Sequence, residues 1–477
     1  MAIDTRAKSY RLLGTFDRAA SRSFLKSLIC AAVSISVTFF PPRLGWELYE
    51  GLSGAGITTL GILIFAALMW ITEAIPSFAV ALLVIGLEVA LLGKPGGIYA
   101  EAGDTKAWQM FVQPWASSIM WLFLGGFVLA HACSKTGLDR WLAGLLIGSN
   151  EKKPAVLLLG IMSVTFVFSM FMSNTATATM MLAVLAPVVG SLREGSKLAK
   201  ALCLAVPVAA NIGGMGTIIG TPPNAIAAGQ LGDQVNFLKW MYFALPPALV
   251  IGTIAYGFLL LTLRGSQVEK IKLEDNSHEE MTGRSLLHRI IVMMIFTVTV
   301  VLWMTSSFHK TPSAVISFLP IVLLAVTGVI TAKDMRELPW DVLILLAGGL
   351  SLGVAINATG LAAWFAAQIP PSWTGFPLII AFAALAVVLS NLMSNTATAN
   401  IMMPIGIALV GTENATLFAL PIALACSSAM CLPISTPPNA VAFASGRVKT
   451  RDFMGIGLLM AVVGPTVAIL WTKIFLG

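Results

Sequence analysis

Hydrophobic positions in this chain come in long runs, with no strand-like alternation. The runs lie at roughly 24–40, 54–71, 74–92, 117–133, 154–192, 201–230, 240–263, 290–306, 313–331, 342–357, 374–412, 415–446 and 453–472. Most match one helical crossing of a bilayer, about 20 residues. Two are too long. Residues 154–192 and 374–412 each continue for 39 positions without an acid or a base. A straight helix of that length would reach about 58 Å, nearly twice the hydrocarbon thickness. Each long run carries a polar cluster at its middle, Ser173-Asn174-Thr175 in one and Ser394-Asn395-Thr396 in the other. The pattern predicts two re-entrant hairpins, each made of two half-length helices with the polar cluster at the tip. Non-helical backbone at that depth survives only when it is buried in protein or lines a wet cavity.

Composition agrees. Of 477 residues, 57% are hydrophobic and 11% charged, against roughly 25% charged in soluble domains. That excludes a soluble enzyme, a nucleic-acid binder and a disordered chain, despite a net charge of +7. The class is an all-α polytopic membrane protein of the cell membrane. The five cysteines form no CxxC or Cys/His cluster, so neither a disulfide frame nor a zinc site is expected. The basic, then apolar N-terminus lacks a clear cleavage site and reads as a first span. With that terminus cytoplasmic and both hairpins returning to their side of entry, 23 of the 29 Lys and Arg fall on the cytoplasmic side. The positive-inside rule then favours eleven spans, two hairpins and an outside C-terminus.

The chain also repeats itself. Gly125-Gly126 recurs as Gly348-Gly349 and Thr136-Gly137-Leu138 as Thr359-Gly360-Leu361, both at an offset of 223. Ser173 to Ala178 recurs unchanged as Ser394 to Ala399, offset 221, and Thr221-Pro222-Pro223-Asn224-Ala225 recurs as Thr436 to Ala440, offset 215. Five spans separate the hairpins, and an odd number makes the copies face opposite ways. Inverted repeats with interrupted helices point to a secondary transporter's binding site. The expected organisation is N-terminal scaffold helices 1–117, a first repeat 118–263, a linker 264–289, scaffold helices 290–341 and a second repeat 342–477.

Ser and Asn are good helix N-caps, and the first amides of a half-helix have no internal partner. Two half-helix N-termini at the midplane, reinforced by Asn amides and Thr hydroxyls, suit a ligand with two anionic groups. Carbonyl, Ser and Asn oxygens without fixed charge suit a small hard cation such as Na⁺. Two consecutive prolines can open a helix but not continue one from upstream. Spans 201–230 and 415–446 are therefore expected to break before their Thr-Pro-Pro-Asn motifs, with Gly213, Gly214, Gly216 and Gly220 supplying flexible backbone in the first and Pro433 and Ser435 marking the second. Between Val342 and Gly446 the only acid or base is Glu413. With no intramembrane acid in the motifs, cation coupling is favoured over proton coupling.

Plainer readings exist for each feature. A lone Ser-Asn-Thr is usually helix–helix glue, and a glycine cluster is usually close packing. The repetition at matched depth is what lifts them above that. Glu73 reads as interfacial, His131, Lys135, Asp139 and Arg140 as a solvated face, and 269–280 as a connecting loop.

At these motifs the chain resembles the divalent anion/sodium symporter family, the Indy-type dicarboxylate and citrate carriers, from about residue 50 to 475. The resemblance implies homodimers whose protomers move a transport domain against a scaffold, elevator fashion. It implies that Ser173, Asn174 and Thr175 with Ser394, Asn395 and Thr396 contact substrate carboxylates, and that Thr221 and Thr436 sit beside the pocket. It implies one Na⁺ site at Ser169, Ser173, Asn174 and the Gly220 backbone, and a second at Asn395 with backbone near Ser390, Met393 and Ser435. Two departures stand near the motifs: Ser435, where a smaller residue is common before Thr, and Asn400, an amide where the first copy has Thr179.

The expectation is a Na⁺-coupled symporter of C4-dicarboxylates such as succinate, malate or fumarate, with no organic cofactor. Citrate, tartrate or sulfate carriage, including by exchange, is the same-class alternative. A channel and an intramembrane enzyme are the different-class ones. The four histidines fall at span ends or loops, and HExxH and GxSxG are absent.

Overall fold

The computed structural model describes residues 4–43, 49–99, 104–147, 153–193, 195–263, 283–368, 370 and 375–475. These are helices and their connections, with no strand among the described residues. Nine described helices are long and apolar enough to cross a membrane. Six shorter apolar helices accompany them, among them Ser77–Gly93, Ser313–Val326 and three of the four half-helices of the long runs, Pro154–Ser169, Phe376–Leu392 and Asn395–Val410. The linker expected at 264–289 lies largely outside the described residues.

Both long runs fold back on themselves. The first is Pro154–Ser169 followed by Asn174–Ser191, and the second is Phe376–Leu392 followed by Asn395–Val410. The return helices start where the sequence supplies a cap. Ser173 accepts the Ala176 amide and Ser394 the Ala397 amide, each at 3.2 Å, so the hydroxyls satisfy one of the orphan donors of each new helix. Both spans carrying Thr-Pro-Pro-Asn are broken: Lys197–Gly214 gives way to Pro222–Leu231, and Ala415–Ser427 to Pro437–Ala444. In both, the prolines occupy the first two helical positions, where a missing N–H costs nothing.

The four half-helices that follow these interruptions pack crosswise. Asn174–Ser191 lies against Pro437–Ala444, and Asn395–Val410 against Pro222–Leu231. Each hairpin packs on the broken span of its own half and, through its return helix, also meets the second half-helix of the other half's broken span.

Three sequence expectations need correction. Pro246 and Pro247 lie inside the unbroken helix Phe237–Thr262. Within a membrane, neighbouring helices and local adjustments re-satisfy backbone groups freed by proline, so the dipeptide breaks a span only where a cap precedes it. His131 and Lys135 are a solvated face only in part: Lys135 is exposed and His131 half-buried, but both are also paired. They reach across to Asp334, at 3.2 and 2.6 Å, and Lys135 also donates to the Val329 carbonyl. Asp139 is buried and accepts from Ser134 Oγ at 2.9 Å.

Candidate functional site

The first hairpin tip closes on the first break. One terminus of the Asn174 carboxamide lies 2.7 Å from Ser169 Oγ and 3.2 Å from the carbonyl oxygens of both Ala210 and Gly220. Ser169 Oγ is itself 2.7 Å from the Ala210 carbonyl. Three oxygens therefore converge on one carboxamide end with no charged side chain among them. Two arrangements satisfy this geometry. Either the amide turns its NH₂ inward and donates to the others, or it turns its oxygen inward and a cation shares the cluster.

Glycine is required here by proximity, not by flexibility. A Cβ on Gly213 would lie 2.3 Å from the Phe166 carbonyl oxygen, one on Gly214 2.5 Å from Asn174 Oδ1, and one on Gly220 2.4 Å from the Gly214 carbonyl oxygen. None of these glycines has positive φ. Their lack of a side chain lets backbone oxygens approach the hairpin. The Thr217 hydroxyl donates to the Met170 carbonyl and ties break to tip.

The second tip and break are joined differently. Asn391 accepts the Cys431 amide at 2.9 Å and the Ser435 hydroxyl at 3.0 Å on its Oδ1, and donates to Val387 through Nδ2. Ser390 and Met393 are buried, and Asn395 has a buried Oδ1 with no hydrogen-bond partner among the described residues. An orphaned amide oxygen at a half-helix N-terminus is chemically suited to a cation.

Asn224 and Asn439, the last residues of the two Thr-Pro-Pro-Asn motifs, act as clamps. Asn224 Nδ2 donates to the carbonyls of Gly214, Met215 and Thr217 at 3.0, 3.1 and 2.7 Å. Asn439 Nδ2 donates to Met430 and Leu432 at 3.0 and 2.9 Å. Each folds the new half-helix back over the carbonyl end of the old one. Thr221 and Thr436 are buried N-caps, and Thr436 Oγ1 receives Asn211 Nδ2 at 3.1 Å, a bond from one broken span to the other.

Of the candidate residues, Ser169, Asn174 and Gly220 come together in one cluster. Ser173 and Ser394 are exposed and hold caps at the tips, beside the half-buried Asn174, Thr175, Asn395 and Thr396. Ser435 is tied to Asn391. Asn400 lies away from the tip, buried against Gly349, with Nδ2 donating 2.9 Å to the Leu345 carbonyl.

The motif reading missed four groups. The Ala210 carbonyl is a backbone acceptor, and residue type carries no signal for it. Asn211 and Asn391 stand where the other copy has Cys426 and Met170, so repetition hides them. Glu88 is fully buried on a π-helical turn, Glu88–Gly93, and bonds Ser351, whose hydroxyl also lies 2.7 Å from the Phe111 carbonyl. A lone acid inside a span is itself the signal that could have found it.

The fold belongs to a class seen in other membrane transporters. Over 84% of this chain and 95% of the other, it superposes on Neisseria gonorrhoeae MtrF, described as one of a class of antimetabolite efflux pumps, with a TM-score of 0.53 at 14% identity. Alcanivorax borkumensis YdaH, a transporter of unusual topology, gives 0.54 at 11% identity over 86% and 98%. At such identities the likeness concerns architecture alone. Sequence is more specific. The profile of the sodium:sulfate symporter transmembrane region matches residues 21–476. The sodium-dependent dicarboxylate transporters SdcS of Staphylococcus saprophyticus and Staphylococcus aureus are each 32% identical, over 88% of this chain and 86% of the first, and 91% and 88% for the second. This protein belongs to the sodium:sulfate symporter family and is a multi-pass cell-membrane transporter.

Proposed function

We propose that the chain is a Na⁺-coupled symporter of C4-dicarboxylates such as succinate, malate and fumarate. The observation that carries the reading is the uncharged oxygen cluster of Ser169, Asn174, Ala210 and Gly220. With Na⁺ present, the Asn174 oxygen turns inward and joins the carbonyls. Without it, the amide reverses and its NH₂ satisfies the same oxygens. The amide turn thereby frees or commits a donor at the substrate-facing tip, which couples ion to anion without a titratable group.

Ser173, Ser394, Thr175, Thr396 and the amides opening Asn174–Ser191 and Asn395–Val410 receive the two carboxylates. Thr221 and Thr436 shape the wall as buried caps. A second Na⁺ is assigned to Asn395 with backbone around Ser390, Met393 and Ser435. The dicarboxylate and Na⁺ assignments draw on the SdcS relatives, whose names state both. We assign the working unit as a homodimer. In each protomer, residues 1–117 and 290–341 with the helices Ser118–Thr136 and Trp340–Ala358 form a scaffold, and the hairpins and broken spans of two inverted repeats move against it as an elevator.

The test is uptake by Asn174→Ala and Asn395→Ala in proteoliposomes. Each abolishes Na⁺-dependent succinate uptake while thermal stability and oligomeric state survive. Intact uptake in both variants would overturn the site.

A further inference from the structure

The glycine pairs Gly125-Gly126 and Gly348-Gly349 lie at matched places on the scaffold helices Ser118–Thr136 and Trp340–Ala358. The first glycine of each pair packs within the scaffold. A Cβ on Gly125 would lie 2.7 Å from Ser317 Cβ, and one on Gly348 2.5 Å from Ala81 Cβ. The second glycine faces the hairpins and broken spans, and there the halves part. Gly126 is covered by Ile219 of the first break, whose side-chain atoms lie 3.2 to 3.5 Å from the place a Cβ would take. Gly349 is covered by Asn400 of the second hairpin, at 1.8 Å by the same measure.

The repeat offsets give each covering residue a counterpart: Ile434 for Ile219 and Thr179 for Asn400. These counterparts are undocked. Ile434 is 80% exposed where Ile219 is 6%. Thr179 is exposed, its hydroxyl donating back to the Thr175 carbonyl, where Asn400 is fully buried. The helices follow suit. Asn395–Val410 packs along Trp340–Ala358, and Asn174–Ser191 has no comparable packing on Ser118–Thr136 among the described residues. Ile434 sits in non-helical backbone inside a span, which places its exposed side chain on a wet cavity.

We infer that Gly126 and Gly349 are alternating docking pits for the moving unit, and that Asn400 is a positioning residue that sets the balance between two conformations. In the conformation seen here, Ile219 fills the pit at Gly126 and Asn400 the pit at Gly349. In the exchanged one, Ile434 fills Gly349 and Thr179 comes to Gly126. The exchange is unequal, because Asn400 bonds the Leu345 carbonyl across the interface while the Thr179 hydroxyl is spent on its own helix. The inference rests on the elevator movement proposed above and adds to it a specific pair of contacts and a residue that biases them.

The test uses the full chain in proteoliposomes with Ile219→Cys or Ile434→Cys, alkylated by a membrane-permeant maleimide. Reaction is scored on the peptide carrying the new cysteine, so the five native cysteines do not contribute. Ile434→Cys reacts fast and Ile219→Cys slowly. Adding Asn400→Thr slows the first and speeds the second, changing the ratio of the two rates by about three- to tenfold, the shift in the population ratio expected from one net hydrogen bond. Thr179→Asn, on an exposed position that disturbs no packing, shifts both rates in the same directions. Two rates rising together would mean a loosened fold, and two unchanged rates would mean no exchange. Either result in both variants overturns the inference. Na⁺-driven succinate uptake is measured on the same vesicles. Uptake with unresponsive labelling contradicts the pits alone, whereas no uptake in any protein, wild type included, contradicts the transport reading.

Discussion

At the first break Gly213, Gly214, Gly216 and Gly220 stand where the second has Ser428, Ala429, Cys431 and Ser435. Both breaks share a Thr-Pro-Pro-Asn opening and an Asn clamp on the preceding carbonyls, yet they are held by opposite means. The first is held by backbone meeting backbone, every residue from 201 to 221 is buried, and Phe171 at its tip packs on Phe296. The second is held by a side chain, Asn391, and leaves Leu392 67% and Ile434 80% exposed. A dense break fixes its oxygens through sterics. A side-chain-braced break can be opened at modest cost. The same motif thus serves one rigid site and one adjustable site.

The largest effect that separates the two is expected from Gly213→Ala. Its Cβ would strike the Phe166 backbone, which has no soft side chain to give way. Uptake is lost and stability falls by about 3 kcal/mol, the upper end of the overpacking range. The matched change Ser428→Ala, which removes a hydroxyl bonded within its own helix, costs under about 1 kcal/mol. Equal losses in the two variants, read from thermal melts, would erase the distinction.

Asn391→Leu comes next. It leaves the Cys431 amide without its acceptor and the Ser435 hydroxyl with only the Asn391 main-chain carbonyl at 3.3 Å, at about 2 kcal/mol, and raises the KM for Na⁺ more than the KM for succinate. Thr217→Val removes the corresponding tie of the first break, and sterics hold that break in place, so the loss is about 1 kcal/mol with kinetics close to wild type. Kinetics that respond more to Thr217 than to Asn391 would reverse the comparison.

A control lies outside both breaks, where the expected effect on uptake is the smallest. Burial alone would raise the pKa of Asp334, but bonds from Lys135, Thr331 and His131 outweigh it and hold the carboxyl well below the usual range. A depressed folded pKa adds stability above the unfolded value, and that stability is lost as pH falls through the folded one. The part of the melting difference between wild type and Asp334→Asn that comes from this carboxylate therefore narrows below about pH 4, where an unfolded Asp begins to protonate.

The interruptions were legible because they need particular residues. A cap requires Ser before Asn174 and Asn395, and a helix opened by two prolines announces its first turn. The 39-residue runs forced a fold-back by length alone. What was hidden follows from chemistry that leaves no mark on residue type. The Ala210 carbonyl could come from any residue. Asn391 braces a break whose first-copy partner, Met170, contributes only its backbone oxygen. Asn400 stood out as a departure from the repeat, but its place against Gly349 depends on which helix lies opposite, and only the packing shows that. Pro246 and Pro247 show the limit of local rules, since a helix surrounded by other helices tolerates what an isolated one would not.

The central claim is that an uncharged pair of tips carries a divalent anion on the energy of Na⁺. Its most direct test is uptake of labelled succinate into proteoliposomes, with and without an inward Na⁺ gradient, in competition with citrate, sulfate and tartrate. The account predicts concentrative uptake that vanishes when Na⁺ is replaced by K⁺ or when the gradient is collapsed, with malate and fumarate competing best. Uptake indifferent to Na⁺, or blocked by sulfate but not by dicarboxylates, would contradict it.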